Sequence, residues 1–208
     1  MATSLLFIRK LIRDRLGLPI HDSYFPDQLI DANINLAILA IEETQRWPWN
    51  ETVGTLTAGT NGLTADVPDD WRATKAIVNT NGHSLAQCVS YDLTRLRQTN
   101  GVGQTAGYFC IINDKIEFAP AAGDEEFMHI YYREPLLLNE DKDVPRLPSV
   151  YVGTIVAKAS QLCSTREDDR PSANTHMMEF VAGIERMKKD TRATTRPQQK
   201  YIRPGNWV

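Results

Sequence analysis

Cysteine is scarce in this chain. Cys88, Cys110 and Cys163 stand far apart with no Cys-x-x-Cys pair, which argues against a disulfide framework or a cysteine zinc site and leaves reduced, buried thiols. Long apolar runs are missing too, since no stretch approaches the roughly 18 residues that span a bilayer. Residues 1–18 break up their apolar positions with Arg9, Lys10, Arg13, Asp14 and Arg15, unlike the core of a signal peptide, so the protein is expected to be made and kept in the cytosol without membrane contact. Positive charge is not in excess either. The formal net charge is -3, whereas nonspecific DNA binding needs clustered Lys and Arg to displace counterions.

Signatures of catalysis are also lacking. His21, His83, His129 and His176 are scattered, with no His-Glu-x-x-His, no Gly-x-Ser-x-Gly elbow and no phosphate loop ending in Gly-Lys. No catalytic set, metal or cofactor is therefore expected. His129 alternates with aromatic residues in a strand pattern and reads as a packed or rim histidine rather than a ligand. An enzyme using His129 and Cys110 in a β module is the rival reading from another class, and a small ligand- or peptide-binding module is a third.

What is present is helical at both ends. Residues 31–50 read DANINLAILAIEETQRWPWN: Ile30, Ile34, Ala37 and Ile41 recur on one helical face, while Leu36 and Leu39 widen the apolar surface. Asp27 or Asp31 is the expected cap. Pro48 disfavours helix at Trp47 and ends the segment there. Trp47, Pro48, Trp49 and the later Trp71 form the expected corner between modules, and Leu36, Leu39 and Ile41 are the residues whose excess apolar surface is expected to pack on a neighbouring subunit. Before this helix, Leu5, Ile8 and Ile12 mark a short amphipathic helix ended by Gly17.

The middle third changes period. Residues 52–57 and 63–67 flank a turn and read as a hairpin, Asn81-Gly82 signals another between residues 73–79 and 84–89, and residues 90–98 suit one or two helical turns. Residues 108–112 and 115–118 form a further hairpin across Asn113-Asp114, and residues 126–132 alternate Phe127, His129 and Tyr131 against Met128, Ile130 and Tyr132. After a proline-rich return with the acidic residues Glu140, Asp141 and Asp143, helical spacing resumes at Val152, Ile155, Val156, Ala159 and Leu162. A charged break holding Glu167, Asp168 and Asp169 follows. Met177, Phe180, Val181, Ile184 and Met187 then give the inner face of a last helix. Residues 191–208 contain Arg192, Arg196, Lys200 and Arg203 and no acid, and end with Tyr201, Ile202, Pro204, Trp207 and Val208, a composition suited to docking on another surface.

The expected fold is α+β: a helical bundle with an inserted antiparallel β domain and an extended C-terminal tail. Its boundaries are 1–51 for the first helices, 52–134 for the β domain, 135–190 for the returning helices and 191–208 for the tail.

This order of features resembles the head-to-tail connector proteins of tailed bacteriophages, variously called adaptors, head-completion proteins or gatekeepers. The matching pieces are the helix running into Gln45-Arg46-Trp47-Pro48-Trp49-Asn50, the segment Val67-Pro68-Asp69-Asp70-Trp71, the Asn81-Gly82 turn followed by Leu85, and Tyr132-Arg133-Glu134-Pro135 leading through Pro148 and Tyr151 to a returning helix. They span residues 29–162. The resemblance implies a non-enzymatic virion protein of the neck, assembled as a homo-oligomeric, usually dodecameric ring beneath the portal protein. Such a ring extends the DNA channel, passes genomic DNA without sequence-specific binding, and offers a surface to the next neck or tail protein. It also implies that residues 191–208 suit a segment reaching the portal and that the channel lining is acidic, which fits a net-acidic chain, while the loops at residues 140–143 and 167–169 themselves read as solvated. A gatekeeper or stopper of the neck is the alternative within the same resemblance.

Overall fold

A computed structural model describes residues 3–20, 22–59, 62–99, 106–120 and 125–195. In chain order the helices are α1 (Leu5–Leu16), α2 (Asp27–Thr44), α3 (Ser90–Thr99), α4 (Val152–Arg166) and α5 (Arg170–Thr195). The strands are β1 (Glu51–Thr57), β2 (Thr64–Asp66), β3 (Trp71–Asn79), β4 (Ala86–Gln87), β5 (Tyr108–Ile112), β6 (Lys115–Ala119) and β7 (Glu126–Arg133). The fold is α+β, and it divides into two compact units: Met1–Gln45 with Leu136–Val208, and Arg46–Pro135.

The first unit is the helical bundle. Ser4 caps α1 by accepting the Phe7 N–H, and Gly17 ends it at φ 66, a left-handed conformation that glycine adopts without the strain a Cβ brings. Helix α2 starts four residues before the expected position. Pro26 is its extended N-cap, and no side chain caps it. The carboxylates expected to do so go elsewhere: Asp31 receives two hydrogen bonds from Arg9, at 2.8 and 2.7 Å, and Asp27 accepts one from Arg13 at 2.7 Å. Helix α2 ends at Thr44, with Gln45 extended at φ -169. Ile30, Ile34, Ala37 and Ile41 are buried as their spacing requires.

Helix α4 lies between α2 and α5. Cys163 takes the Asn33 side-chain N–H at 3.3 Å. On the other side, a Cβ built on Gly183 of α5 would lie 2.9 and 3.1 Å from Cγ2 and Cβ of Thr154, so only glycine allows that approach. Thr154 and Cys163 are nine positions apart, which at 3.6 residues per turn is about two and a half turns and sets them on opposite sides of the helix. Opposite faces of α4 therefore meet α2 and α5. The inner face of α5 differs from the one expected: Phe180, Ile184 and Met187 are buried, with His176 and Ala173 completing the stripe, while Met177 and Val181 point outward. Asp169 accepts the Ser172 N–H at 3.2 Å at the start of α5, so part of the charged break serves as a cap.

The second unit holds two sheets. One orders its strands β1-β7-β3, all antiparallel, and the other β2-β6-β5-β4. The expected hairpin of residues 52–57 with 63–67 is not a ladder, because β1 pairs with β7 and β2 with β6. The Asn81-Gly82 turn is present with Gly82 at φ 80, but its hairpin is a stub: Ser84 bridges Val78, and the chain then leaves to make β4, parallel to β5. The second sheet is thus mixed. Hairpin β5–β6 turns at Asn113 and Asp114, whose φ values of 49 and 57 suit these residue types. Phe118 stacks on Phe127 at 4.8 Å in a core shared with Leu56, Ile77, Phe109 and Ile116. Arg97 of α3 donates to the carbonyls of Phe118 and Leu63 and pairs with Glu117 at 3.0 Å, fastening the helix to that sheet.

Candidate functional site

The polar residues of the β unit form a network on the inner face of β3 and β7. Trp71 Nε1 donates to Thr74 Oγ1 at 3.1 Å, and Thr74 Oγ1 stands 2.9 Å from His129 Nε2. The Thr74 hydroxyl, with one proton and two lone pairs, serves the indole and the imidazole together. His129 is fully buried, stacks on Tyr131 at 4.8 Å, and its Nδ1 finds no partner among the described residues. Tyr131 in turn donates its hydroxyl to Asp70 at 2.9 Å. Burial pushes the His129 pKa down to about 4, because an imidazolium in this position would be desolvated with nothing to compensate it.

This geometry describes a packing histidine. Cys110, its partner in the rival enzymatic reading, lies in the other sheet against Leu93 and Ala119, and burial raises its thiol pKa. Cys163 is likewise buried and raised, which disfavours the thiolate that a nucleophile requires. Among the described residues no group of three or more His, Cys, Asp or Glu is placed to hold a metal ion, and no helix is long and apolar enough to cross a membrane. His21 lies outside the described residues.

The depressed His129 pKa gives the stability a pH dependence. The folded value, about 4, is below the ordinary 6.5, so the unfolded chain binds the proton first. The contribution of neutral His129 is complete above pH 6.5 and is lost as the pH falls towards about 4. Unfolding free energy is expected to drop by about 2 kcal/mol between pH 7 and pH 5, measured by urea denaturation. His129→Phe is expected to flatten that pH slope. An unchanged slope would show that another group titrates.

The surfaces marked in the sequence as contact sites have mixed fates. Trp47 is fully buried and stacks on Trp49 with ring centroids 4.7 Å apart and planes 10° from parallel, and Pro48 opens the 3₁₀ turn Pro48–Asn50 between them. Trp71, grouped with them from the sequence, starts β3 and bonds to Thr74 instead. On α2, Leu36 is 52% exposed and Leu39 partly exposed, as a packing surface needs. Ile41 is 1% exposed. It faces inward with Ile34 and Ala37 and has no surface left for a neighbour, which corrects its assignment. Arg192 is an exposed residue of α5 rather than of a tail. Arg196, Lys200, Tyr201, Ile202, Arg203, Pro204, Trp207 and Val208 lie outside the described residues.

The acidic loops are solvated, as their composition suggests, and have local partners. Asp141 pairs with Arg9 at 3.0 Å, and Asp143 accepts the N–H groups of Asn139 and Glu140, which hold its carboxyl below the usual range. Asp168 pairs with Arg170 at 3.3 Å. Two outward apolar features escaped the sequence reading: Met178 and Val181 on α5, and Val53 with Met128 on the first sheet, all well exposed. Their apolar character alone is the same as that of core residues, and only the placement of the inner stripes separates the two.

Comparison with known proteins follows the architecture. The model of the SU10 adaptor protein family matches residues 6–201, nearly the whole chain. No curated protein matches. The chain belongs to the SU10 adaptor protein family and is a bacteriophage adaptor protein, a structural component of the virion that associates with other head or tail proteins.

Proposed function

We propose, from that membership, that this protein forms the head-tail adaptor ring, dodecameric, which joins the portal to the tail and extends the DNA channel at the neck of the virion. The observation that carries the reading is the family match over residues 6–201 of a chain built as a helical bundle with an inserted β unit. A ring needs two different faces on each subunit, repeated by rotation until it closes. The net charge of -3 suits a channel that lets DNA slide, since a surface without a basic excess gives the phosphates nothing to condense on. This is a property of the whole chain rather than of the loops around Asp141 and Asp168, whose carboxylates are engaged locally.

The basic, aromatic end of the chain, with Arg196, Lys200, Tyr201, Arg203 and Trp207, is the portal-docking segment in this reading. Basic and aromatic side chains side by side suit a groove on another protein. A chain ending at Lys200 is expected to keep its thermal stability and to bind purified portal at least tenfold more weakly than the full chain in a sedimentation assay. Equal binding would remove the docking role from residues 201–208.

A further inference from the structure

The outward face of α2 is apolar for a surface helix. Opposite its buried stripe lie Ala32, Leu36, Leu39 and Glu43, of which Leu36 is 52% exposed. Helix α2 carries no Lys or Arg, has no basic residue in its last turn, and presents Glu43 outward there, so its exposed C-terminal end is negative both by charge and by dipole. The outward face of α5 is apolar in its middle, then carries Glu185, which pairs with Lys188 at 3.0 Å, and is basic beyond it. Met178 is 74% and Val181 49% exposed, and Lys189 and Arg192 follow on the same face.

These two faces look away from each other. Helix α4 separates α2 from α5, with Cys163 towards the one and Thr154 towards the other. The three helices also have a definite sense. Tyr24, just before α2, bonds to the Arg166 carbonyl at the end of α4, while Asn33 meets Cys163, so α2 runs antiparallel to α4. Helix α5 returns after three residues, 167–169, and runs antiparallel to α4 in turn. Helices α2 and α5 are therefore close to parallel, on opposite sides of the bundle.

We infer that the outer face of α2 in one subunit docks on the outer face of α5 in the next copy of this chain, and that this is the repeating contact of the ring. The inference rests on the ring reading above. Rotation between neighbours in a dodecameric ring is about 30°, which keeps the two helices within the range of crossing angles that packed helices adopt. In the parallel sense, Leu36 set against Val181 brings Ala32 beside Met178, and two turns further on Glu43 meets Lys189. The apolar middles coincide, Glu185 with its partner Lys188 lies beside Leu39, and Glu43 meets the basic stretch that follows.

Paired cysteines test the contact. In a Cys88→Ser background of the full chain, Leu36→Cys, Val181→Cys and the double variant are treated with a short bis-maleimide, with and without purified portal, and assembly is followed by mass photometry. The double variant is expected to give a ladder of dimers, trimers and higher species holding more than half of the chain. Each single variant is expected to stay below about a tenth cross-linked. Separately, Leu36→Asp and Met178→Asp, both at exposed positions, are each expected to raise the concentration of half-assembly at least tenfold without lowering the melting temperature. Rings without a ladder in the double variant would overturn the α2–α5 contact and leave the ring reading standing. Dimers from a single variant would overturn it in favour of a two-fold contact. A chain that stays monomeric even with portal present would overturn both.

Discussion

Replacing Trp47 by alanine is expected to destabilise the protein by about 4 kcal/mol, the largest loss from any single side chain. Trp47 is fully buried where α2 has ended and β1 is about to begin, and its ring lies flat on Trp49 at 4.7 Å. Removing it takes away the transfer free energy of a large aromatic surface, leaves a cavity, and ends a stacking contact worth about 1 kcal/mol beyond its area. Pro48 stiffens the turn that presents both rings, so the neighbours cannot collapse freely into the space. Trp49→Ala is expected to cost about 1 to 2 kcal/mol, since Trp49 is only partly buried. Urea denaturation followed by circular dichroism reads both. Equal losses at the two positions would mean that the stack matters more than the burial.

Arg9→Ala is expected to lower the stability of the helical unit by about 3 kcal/mol and its melting temperature by about 10 °C. The Arg9 side chain is 10% exposed and gathers three carboxylates: Asp31 in two-pronged fashion, Asp141 at 3.0 Å and Asp27 at 3.5 Å. It thereby ties α1 to the start of α2 and to the return segment after the β unit. Asp31 is the partner that suffers most, its side chain being 22% exposed against 52% for Asp27 and 63% for Asp141, which can rehydrate. Arg9→Lys is expected to recover less than half, because an ammonium cannot match the planar fork. Surface pairs set the contrast: Lys142 with Glu140, 82% and 64% exposed, should contribute well under 1 kcal/mol. A loss below about 1 kcal/mol for Arg9→Ala would reduce its cluster to that class.

What could be read from the sequence was mostly local. Helix α1 declared itself through the spacing of Leu5, Ile8 and Ile12, and through Gly17. Hairpin β5–β6 did so through Asn113-Asp114, since turns and caps act over a few residues. Strand β7 was legible as a strand, with the inward face Phe127, His129 and Tyr131. Its partners were not, because Val53 and Ala76, which both pair with Ile130, come from strands far back along the chain. The start of α2 was misplaced because Asp27 and Asp31 look like caps, and only the fold reveals Arg9 and Arg13 as their partners.

The contact surfaces were harder for a different reason. Ile41 and Leu36 are both apolar residues of one helix, yet one is core and the other surface. Val181 and Ile184 differ in the same way on α5. Hydrophobic spacing marks a stripe, but an apolar residue beside the stripe belongs to the core or to an interface according to what lies next to it. The corner at Trp47 was visible because two large rings around a proline leave few conformations.

Electron microscopy of the purified full-length protein mixed with its portal protein tests the central claim most directly. The account predicts an added ring of this chain, stacked on the portal with twelve-fold symmetry and an open axial channel. Portal rings that remain bare, with the chain monomeric beside them, would contradict it.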